Sequence, residues 1–201
     1  MELAHRWSDR NLSRLELISA VLVLAILIGV FSRYILVVFS SAEQSMVNST
    51  VININTSLSY RAALLILEGE YEELDNLLKI NPMEEMQLLP EISDYELTNT
   101  NAVLSRVGGL ISTPENYGKA IYSDDDESLE KGKWYFNYVE NYLIYVISNR
   151  ELFTSDLEGL PRIRFRIALD YNDRNLNGLY EPAIDEFRSM KLNAIDQYQW
   201  N

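Results

Sequence analysis

Apolar and polar positions divide the chain into one long apolar stretch and a region of shorter periodic patterns. The apolar stretch is Leu15–Phe39, 25 residues long, and it is interrupted by Ser32, Arg33 and Tyr34. A helix needs about 20 apolar residues to cross the ~30 Å hydrocarbon core of a bilayer, where the backbone must satisfy its own amides. The pattern therefore predicts one transmembrane helix over residues 15–39. Glu16 and Arg33, near its two ends, can extend towards the headgroups.

The flanks of this helix predict its orientation. The N-terminal arm, residues 1–14, has three arginines against two acidic residues: Arg6, Arg10, Arg14, Glu2 and Asp9. Positive charge in a short flank marks the cytoplasmic side of a membrane. Ser40-Ser41-Ala42 is only a faint match to a signal-peptide cleavage site, and the apolar core is long for a signal peptide. We therefore predict an uncleaved single-pass anchor in inner-membrane lipid, with a periplasmic domain over residues 40–201.

Helical periodicity continues beyond the apolar stretch. Between residues 40 and 67, positions at three- or four-residue spacing form a stripe that is apolar except at Arg61: Val47, Val51, Ile54, Leu58, Arg61 and Leu65. This spacing predicts that the helix continues into the periplasmic domain, held there by packing because its Asn, Ser and Thr residues are poor helix formers. A second short helix is predicted over Tyr71–Ile80, ended by Asn81-Pro82.

Strand patterns dominate the last third of the chain. Lys133–Glu140 and Tyr142–Asn149 predict a hairpin. Arg162–Tyr171 alternates strictly, which predicts an antiparallel strand with one face covered by the long helix. We interpret its arginine row as a solvated face, or alternatively as a surface that pairs with acidic neighbours in an assembly. Met190–Tyr198 could add a last strand. The predicted fold class is α+β, a long N-terminal membrane-spanning α-helix continuing into a domain with a small antiparallel β-sheet.

Charge and composition exclude several functions. The net charge is −13, and residues 40–201 alone carry −14, so a nucleic-acid partner is not expected. There is no cysteine, and the single histidine, His5, lies in the N-terminal arm. A histidine-dependent triad or zinc site in the periplasmic domain is therefore excluded, and we predict that the protein is not an enzyme. The acidic run Asp124–Glu127 is interpreted as a solvated loop, with an auxiliary cation site as the alternative.

One segment, residues 170–187, has the spacing of a calcium-binding loop. Oxygen-bearing side chains recur every second residue before a glycine that permits a sharp turn: Asp173, Asn175, Asn177 and then Gly178. The Leu179 carbonyl and Glu181 would follow as ligands. Ile184 occupies the twelfth position, so Asp185 is the predicted substitute. With three negative charges we expect a Kd of about 10⁻⁴–10⁻³ M. The alternative is a plain turn, since Asn and Gly tolerate left-handed backbone.

The N-terminal residues also resemble a known family. The run Asn11–Ile18, NLSRLELI, followed by an apolar helix, is similar to the N-terminus of type IV pilins and pseudopilins. With Leu12 as the first mature residue, Glu16 falls at the glutamate that this family has at its fifth mature position. Asn11 replaces the family's cleavage-site glycine, Leu12 its aromatic or Met, and Arg14 an apolar residue. A pilin-like chain with these departures resembles the F-protein family of mannose-sensitive haemagglutinin (MSHA) pilus biogenesis.

Two later segments extend this resemblance. Trp134–Asn137 and Leu143–Val146 are similar to strands of minor pilin-type proteins of the MSHA system. Separately, the segment 170–187, named the Asp/Asn loop below, resembles calcium loops of bacterial surface domains. The resemblance implies a non-enzymatic, pilin-like protein that acts in assembly or structure of an MSHA-type pilus. Its partners would be other pilins or pilus-assembly proteins, reached through the N-terminal helix and Glu16. The alternatives are a minor pseudopilin of a type II secretion system and a bitopic calcium- or ligand-binding periplasmic module.

Overall fold

A computed structural model describes residues 2–83, 114–123 and 129–200, with side chains from Arg14 onward. It contains two compact units, Met1–Ala42 and Glu43–Asn201. The helices are α1 Glu2–Glu68 and α2 Glu72–Leu77, and the strands are β1 Tyr117–Ile121, β2 Trp134–Asn137, β3 Tyr142–Val146, β4 Phe153–Ser155, β5 Arg162–Asn172, β6 Glu186–Ala194 and β7 Tyr198–Trp200. The predicted acidic run Asp124–Glu127 lies outside the described residues.

The first unit consists of the N-terminal part of α1. In the described part of the chain this is the one helix long and apolar enough to cross a membrane, and the most apolar stretch has no buried residue. The two serines of the apolar stretch are satisfied within the helix, since Ser19 donates to the Glu16 carbonyl and Ser32 to the Ile28 carbonyl, each at 2.8 Å. A single candidate transmembrane helix near the N-terminus is therefore present, as the hydropathy pattern predicted.

The second unit packs the remainder of α1 against a β-sheet. Five α1 residues enter the core, and four of them belong to the predicted stripe: Val47, Ile54, Leu58, Ala62 and Leu65. The second helix is shorter than predicted, because it covers only Glu72–Leu77, but it buries Leu74 and Leu77 as expected. The periodic positions thus identified the face of α1 that is covered.

The main sheet has five strands in the order β1-β2-β3-β5-β6, and β4 and β7 form a separate two-stranded sheet. The pairs β2–β3, β3–β5 and β5–β6 are antiparallel, whereas β1 runs parallel to β2. The predicted α+β class, with a long N-terminal helix and a small sheet, is confirmed. The sheet is mixed rather than wholly antiparallel, because β1, a strand that the sequence did not predict, runs parallel to β2.

The predicted hairpin is confirmed as β2 and β3, with Trp134 opposite Tyr145 and Asn137 opposite Tyr142. The Asn137 side chain organises the connecting turn by accepting hydrogen bonds from the backbone amides of Val139 (2.9 Å) and Glu140 (3.1 Å). Asn141 completes the turn in a left-handed conformation, with φ 54°. Asparagine is one of the few side chains that adopt this conformation at low cost.

The prediction of a continuous last strand over Met190–Tyr198 is wrong. Strand β6 ends at Ala194, and Tyr198 belongs to β7, which pairs with β4. The chain turns between them because the Asp196 carboxylate is held by the Arg164 guanidinium through two hydrogen bonds of 2.9 and 2.6 Å. A side-chain ion pair thus ends the strand.

Two further expectations about the sheet are corrected. The central strands are covered on both faces, because Tyr135, Tyr142, Ile144 and Val146 form a second cluster with Ile121 and Leu129. The arginine row is not a uniformly solvated face. Arg162 is buried and donates to the Leu160 carbonyl at 3.1 Å, Arg164 is half-buried in its ion pair with Asp196, and Arg166 is exposed. Because the second face is covered, Arg162 and Arg164 are partly or fully withdrawn from water and are hydrogen-bonded inside the domain.

Candidate membrane helix and Asp/Asn loop

The predicted calcium ligands lie in the loop that joins β5 to β6. Its backbone is folded by short side-chain hydrogen bonds: an Asp173 carboxylate oxygen, Oδ2, accepts from the Gly178 amide at 2.7 Å, and Asn177 Oδ1 accepts from the Leu179 amide at 2.8 Å. Gly178 has a φ of +76°, which the sharp turn requires. The alternating polar residues therefore form the loop itself, as Asn and Asp do in turns.

Glu181 and Asp185 close the other side of this loop. Glu181 Oε2 accepts hydrogen bonds from the side-chain amides of Asn175 and Asn177, the second at 2.8 Å. The buried Asp185 carboxylate accepts from the backbone amides of Arg174 (2.9 Å) and Glu181 (2.8 Å). The structure thus brings the predicted side chains into one network, while Leu179 is exposed.

One oxygen of this network is left without a partner. Asp173 Oδ1 is buried and has no hydrogen-bond partner among the described residues. An unsatisfied buried carboxylate oxygen is costly, and a bound cation would relieve that cost. In the described part of the chain, however, no group of three or more His, Cys, Asp or Glu side chains is close enough to hold a metal ion. A calcium site here would therefore depend on the asparagine and backbone oxygens as well.

The carboxylates influence two tyrosines beside the loop. Burial, followed by the negative charges of Asp173 and Asp185, raises the pKa of Tyr171. Burial also raises the pKa of Tyr180, with smaller contributions from Tyr71 and Asp185. The two rings Tyr171 and Tyr180 meet edge to face with centroids 5.3 Å apart. The acidic residues of the loop therefore lie next to a pair of packed tyrosine rings.

Glu16, the residue predicted to act in assembly, belongs to the other unit. It lies at the start of the exposed apolar part of α1, and its side chain has no ion-pair or hydrogen-bond partner among the described residues. A carboxylate beside an apolar helical surface is available to pair with a cation of another molecule. Glu16 and the Asp/Asn loop are described separately because they belong to different compact units.

Sequence reasoning missed three polar residues that attach α1 to the sheet. Glu43 Oε1 accepts from the Tyr145 hydroxyl at 2.9 Å and from the Ser148 amide at 2.7 Å. Two further α1 residues bond to β6, the edge strand of the sheet. Asn55 Oδ1 accepts from the Leu192 amide at 2.7 Å, and the Ser59 hydroxyl donates to the Met190 carbonyl at 2.9 Å. The only signal in the sequence is that Asn55 and Ser59 are four residues apart beside the apolar stripe.

The aromatic strand Trp134–Asn137 forms core rather than a ligand-binding surface. Trp134 and Phe136 are fully buried, and the Trp134 ring lies 5.0 Å from that of Tyr145 between centroids.

Comparison with known proteins found no family model, no curated protein and no solved structure that matches this chain.

Proposed function

We propose that this protein is a membrane-anchored, pilin-like structural component that acts in the assembly or structure of an MSHA-type type IV pilus, without enzymatic activity. The observation that carries the proposal is the composition of α1. This one helix contains an exposed apolar stretch with Glu16 at its start, and its later residues supply the helical side of the core of the second unit. A helix that is part anchor and part core suits a protein that works by packing.

In this role the exposed part of α1 packs against the helices of other pilins or pilus-assembly proteins in the inner membrane. The Glu16 carboxylate pairs there with a terminal amine or an arginine of the neighbour, since an ionised carboxylate in a hydrophobic assembly needs a cation. The second unit lies on the periplasmic side, because the basic residues are concentrated in the arm before the anchor. Glu43, Asn55 and Ser59 hold the sheet on the helix.

The test of the assembly role is Glu16→Gln in the host, with Asp9→Asn as a matched control that removes an acidic residue from the same helix before the apolar stretch. We expect Glu16→Gln to abolish or strongly reduce surface pili counted by electron microscopy, and to prevent co-purification of other pilins. Asp9→Asn should change neither. Normal piliation in the Glu16→Gln strain would contradict the proposal.

The intact mass of the protein from host membranes distinguishes an accessory protein from a fibre subunit. A mass that corresponds to the full chain, with or without the initiator methionine, indicates an uncleaved anchor with an accessory role. A mass that begins at Leu12 indicates processing by a prepilin peptidase and a place in the fibre. Cleavage near Ala42 would remove the helix and contradict the proposal.

A host strain in which the gene for this protein is deleted separates the pilus role from the secretion role. Loss of pili with normal secretion of exoproteins supports the pilus role. Normal pili with loss of secreted exoproteins supports the alternative, a minor pseudopilin of a type II secretion system. Retention of both would favour the remaining alternative, a bitopic calcium- or ligand-binding periplasmic module.

A second proposal, carried by the partnerless Asp173 Oδ1, is that the Asp/Asn loop binds calcium weakly. Binding would require the side-chain amides of Asn175 and Asn177 to turn away from Glu181, so that their oxygens and the Glu181 carboxylate face the ion. Asp185 would support the loop backbone rather than contact the ion, because its oxygens already accept hydrogen bonds from two backbone amides. The loop is folded in advance, and the ion would replace repulsion between carboxylates with coordination.

Thermal unfolding of the full chain in detergent micelles tests calcium binding. At a calcium concentration about ten times Kd we expect stabilisation by about 1.4 kcal/mol. Asp173→Asn should abolish this gain, whereas Asp75→Asn, which removes an acidic charge from α2, should retain it. Equal shifts with magnesium, or a calcium shift that survives Asp173→Asn, would indicate a plain turn.

A further inference from the structure

We propose that Arg33 marks the periplasmic border of the membrane and binds the phosphate of an anionic phospholipid there, so that Ile35–Phe39 lies in the headgroup layer. The inference rests on the proposed membrane anchoring and specifies the position of the anchor. Arg33 is the only basic residue between Arg14 and Arg61. Its side chain is exposed and has no ion-pair or hydrogen-bond partner among the described residues.

The length of the helix permits two positions in the bilayer. From Leu15 to Ser32 the helix rises about 26 Å, and from Leu15 to Phe39 about 36 Å. The first length is close to the ~30 Å hydrocarbon core, and the second exceeds it. If the core instead ended at Phe39, Arg33 would lie about 9 Å inside the hydrocarbon. The two positions therefore differ in whether a partnerless guanidinium is placed in lipid.

Side-chain direction favours the position with Arg33 at the border. In an α-helix the Cα–Cβ bonds tilt towards the N-terminus, which in the proposed orientation points back into the membrane. An Arg33 inside the hydrocarbon would have to extend against this tilt to reach periplasmic water. With its Cα at the border, the guanidinium needs only a short extension against the same tilt to reach the phosphates, and Tyr34 lies at the level where aromatic residues are enriched.

The remaining apolar residues fit the headgroup layer. Ile35–Phe39 rises about 6 Å, and each headgroup layer is about 5–8 Å thick. The polar residues Ser40, which is buried, and Ser41, which is exposed, follow immediately. The short apolar run therefore ends about one headgroup layer beyond Arg33.

The same helix face offers room for the lipid below its phosphate. Gly29 lies one turn before Arg33, on the same side of the helix. A Cβ placed on Gly29 would have no atom within 4 Å, so this position is open. A phosphate held by Arg33 would leave the glycerol and upper acyl chain against Gly29. An anionic phospholipid is the expected ligand, because its headgroup has no positive charge that would compete with the guanidinium for the phosphate.

The position of the border is tested by spin labelling of the full chain in vesicles of phosphatidylcholine and phosphatidylglycerol. The chain has no cysteine, so each single-cysteine variant carries one label. We expect hydrocarbon depth at Leu24 and Ile28, and headgroup depth at Leu36 and Phe39. Hydrocarbon depth that persists to Phe39 would overturn the inference. Absence of hydrocarbon depth at Leu24 would instead refute membrane anchoring itself.

Lipid binding is tested by native mass spectrometry of the full chain released from the same vesicles, counting retained phosphatidylglycerol and phosphatidylcholine. Arg33→Gln should reduce the preference for phosphatidylglycerol about fivefold, and Arg33→Lys should keep most of it. Arg14→Gln, which removes an equal charge from the other end, should leave the border unchanged. Gly29→Leu should reduce lipid retention without moving the border. A preference unaffected by Arg33→Gln would overturn the proposed lipid site.

Discussion

Replacement of Asn55 by alanine removes the acceptor for an edge-strand amide. In the structure Asn55 Oδ1 accepts from the amide of Leu192, a residue of β6 with a side chain only 5% exposed. A sheet edge presents unpaired amides and carbonyls, and here a polar side chain of the helix takes the place of a neighbouring strand. The variant would leave that amide without its partner.

The magnitude follows from two opposing effects. A buried donor without an acceptor costs about 1–3 kcal/mol, and alanine regains about 0.7 kcal/mol because it is a better helix former than asparagine. We therefore expect a net destabilisation of about 0.3–2.3 kcal/mol. For a domain of this size that corresponds to a decrease in Tm of about 1–9 °C.

The assay is denaturant unfolding of the full chain in micelles, followed by tryptophan fluorescence, to which the buried Trp134 contributes. Asn55→Asp keeps an acceptor oxygen and should stay close to wild type. Thr56→Ala is the control for helix propensity, because the exposed Thr56 hydroxyl bonds only to the Ile52 carbonyl of its own helix. If Asn55→Ala were as stable as wild type while Thr56→Ala behaved as expected, the hydrogen bond from the Leu192 amide to Asn55 would contribute nothing to stability.

Three further predictions concern the sheet. The pKa of Tyr145 is raised, mainly by burial, above its ordinary value of 10.0, so the folded state holds this proton more tightly and stability falls as the pH rises above 10. Tyr145→Phe should make that fall less steep by about 1.4 kcal/mol per pH unit, and an unchanged slope of unfolding free energy against pH would refute the assignment. Gly118→Ala would place a Cβ 2.8 Å from the buried Tyr135 ring, and calorimetry should show a loss of about 1–3 kcal/mol. Arg164→Lys keeps the charge but loses the two-pronged contact with Asp196, so unfolding should become easier by about 1–2 kcal/mol, and a neutral effect would mean that the fork adds no stability.

Elements with long periodicity could be predicted from the sequence. The helical stripe repeats over many turns and β5 alternates over ten residues, so local pattern alone identified the buried apolar positions of both elements, although not the burial of Arg162 on the other face of β5. Strand β1 could not be predicted, because its five residues, YGKAI, do not alternate and it exists through parallel pairing with β2. The end of β6 was missed for a related reason. It depends on a pair, Arg164 and Asp196, that is 32 residues apart in sequence.

The candidate site shows the same limit at the level of single atoms. Spacing alone placed the oxygen-bearing residues of the Asp/Asn loop in one segment, and the structure brings them into one network. Spacing does not say which end of an asparagine amide faces Glu181, nor that Asp173 keeps one oxygen without a partner. Those details depend on rotamers, which are set by the surrounding backbone.

The attachment of α1 to β6 has a consequence for synthesis. The hydrogen bond between Asn55 and Leu192 joins residues 137 positions apart. At about 5–20 residues per second, roughly 7–27 s pass between the synthesis of these two residues. During that interval the apolar face of the helix, including Ile54 and Leu58, has no complete sheet to cover it. The nascent chain is thus vulnerable to aggregation until its last strands are made, and a chaperone that shields this helix would act in that interval.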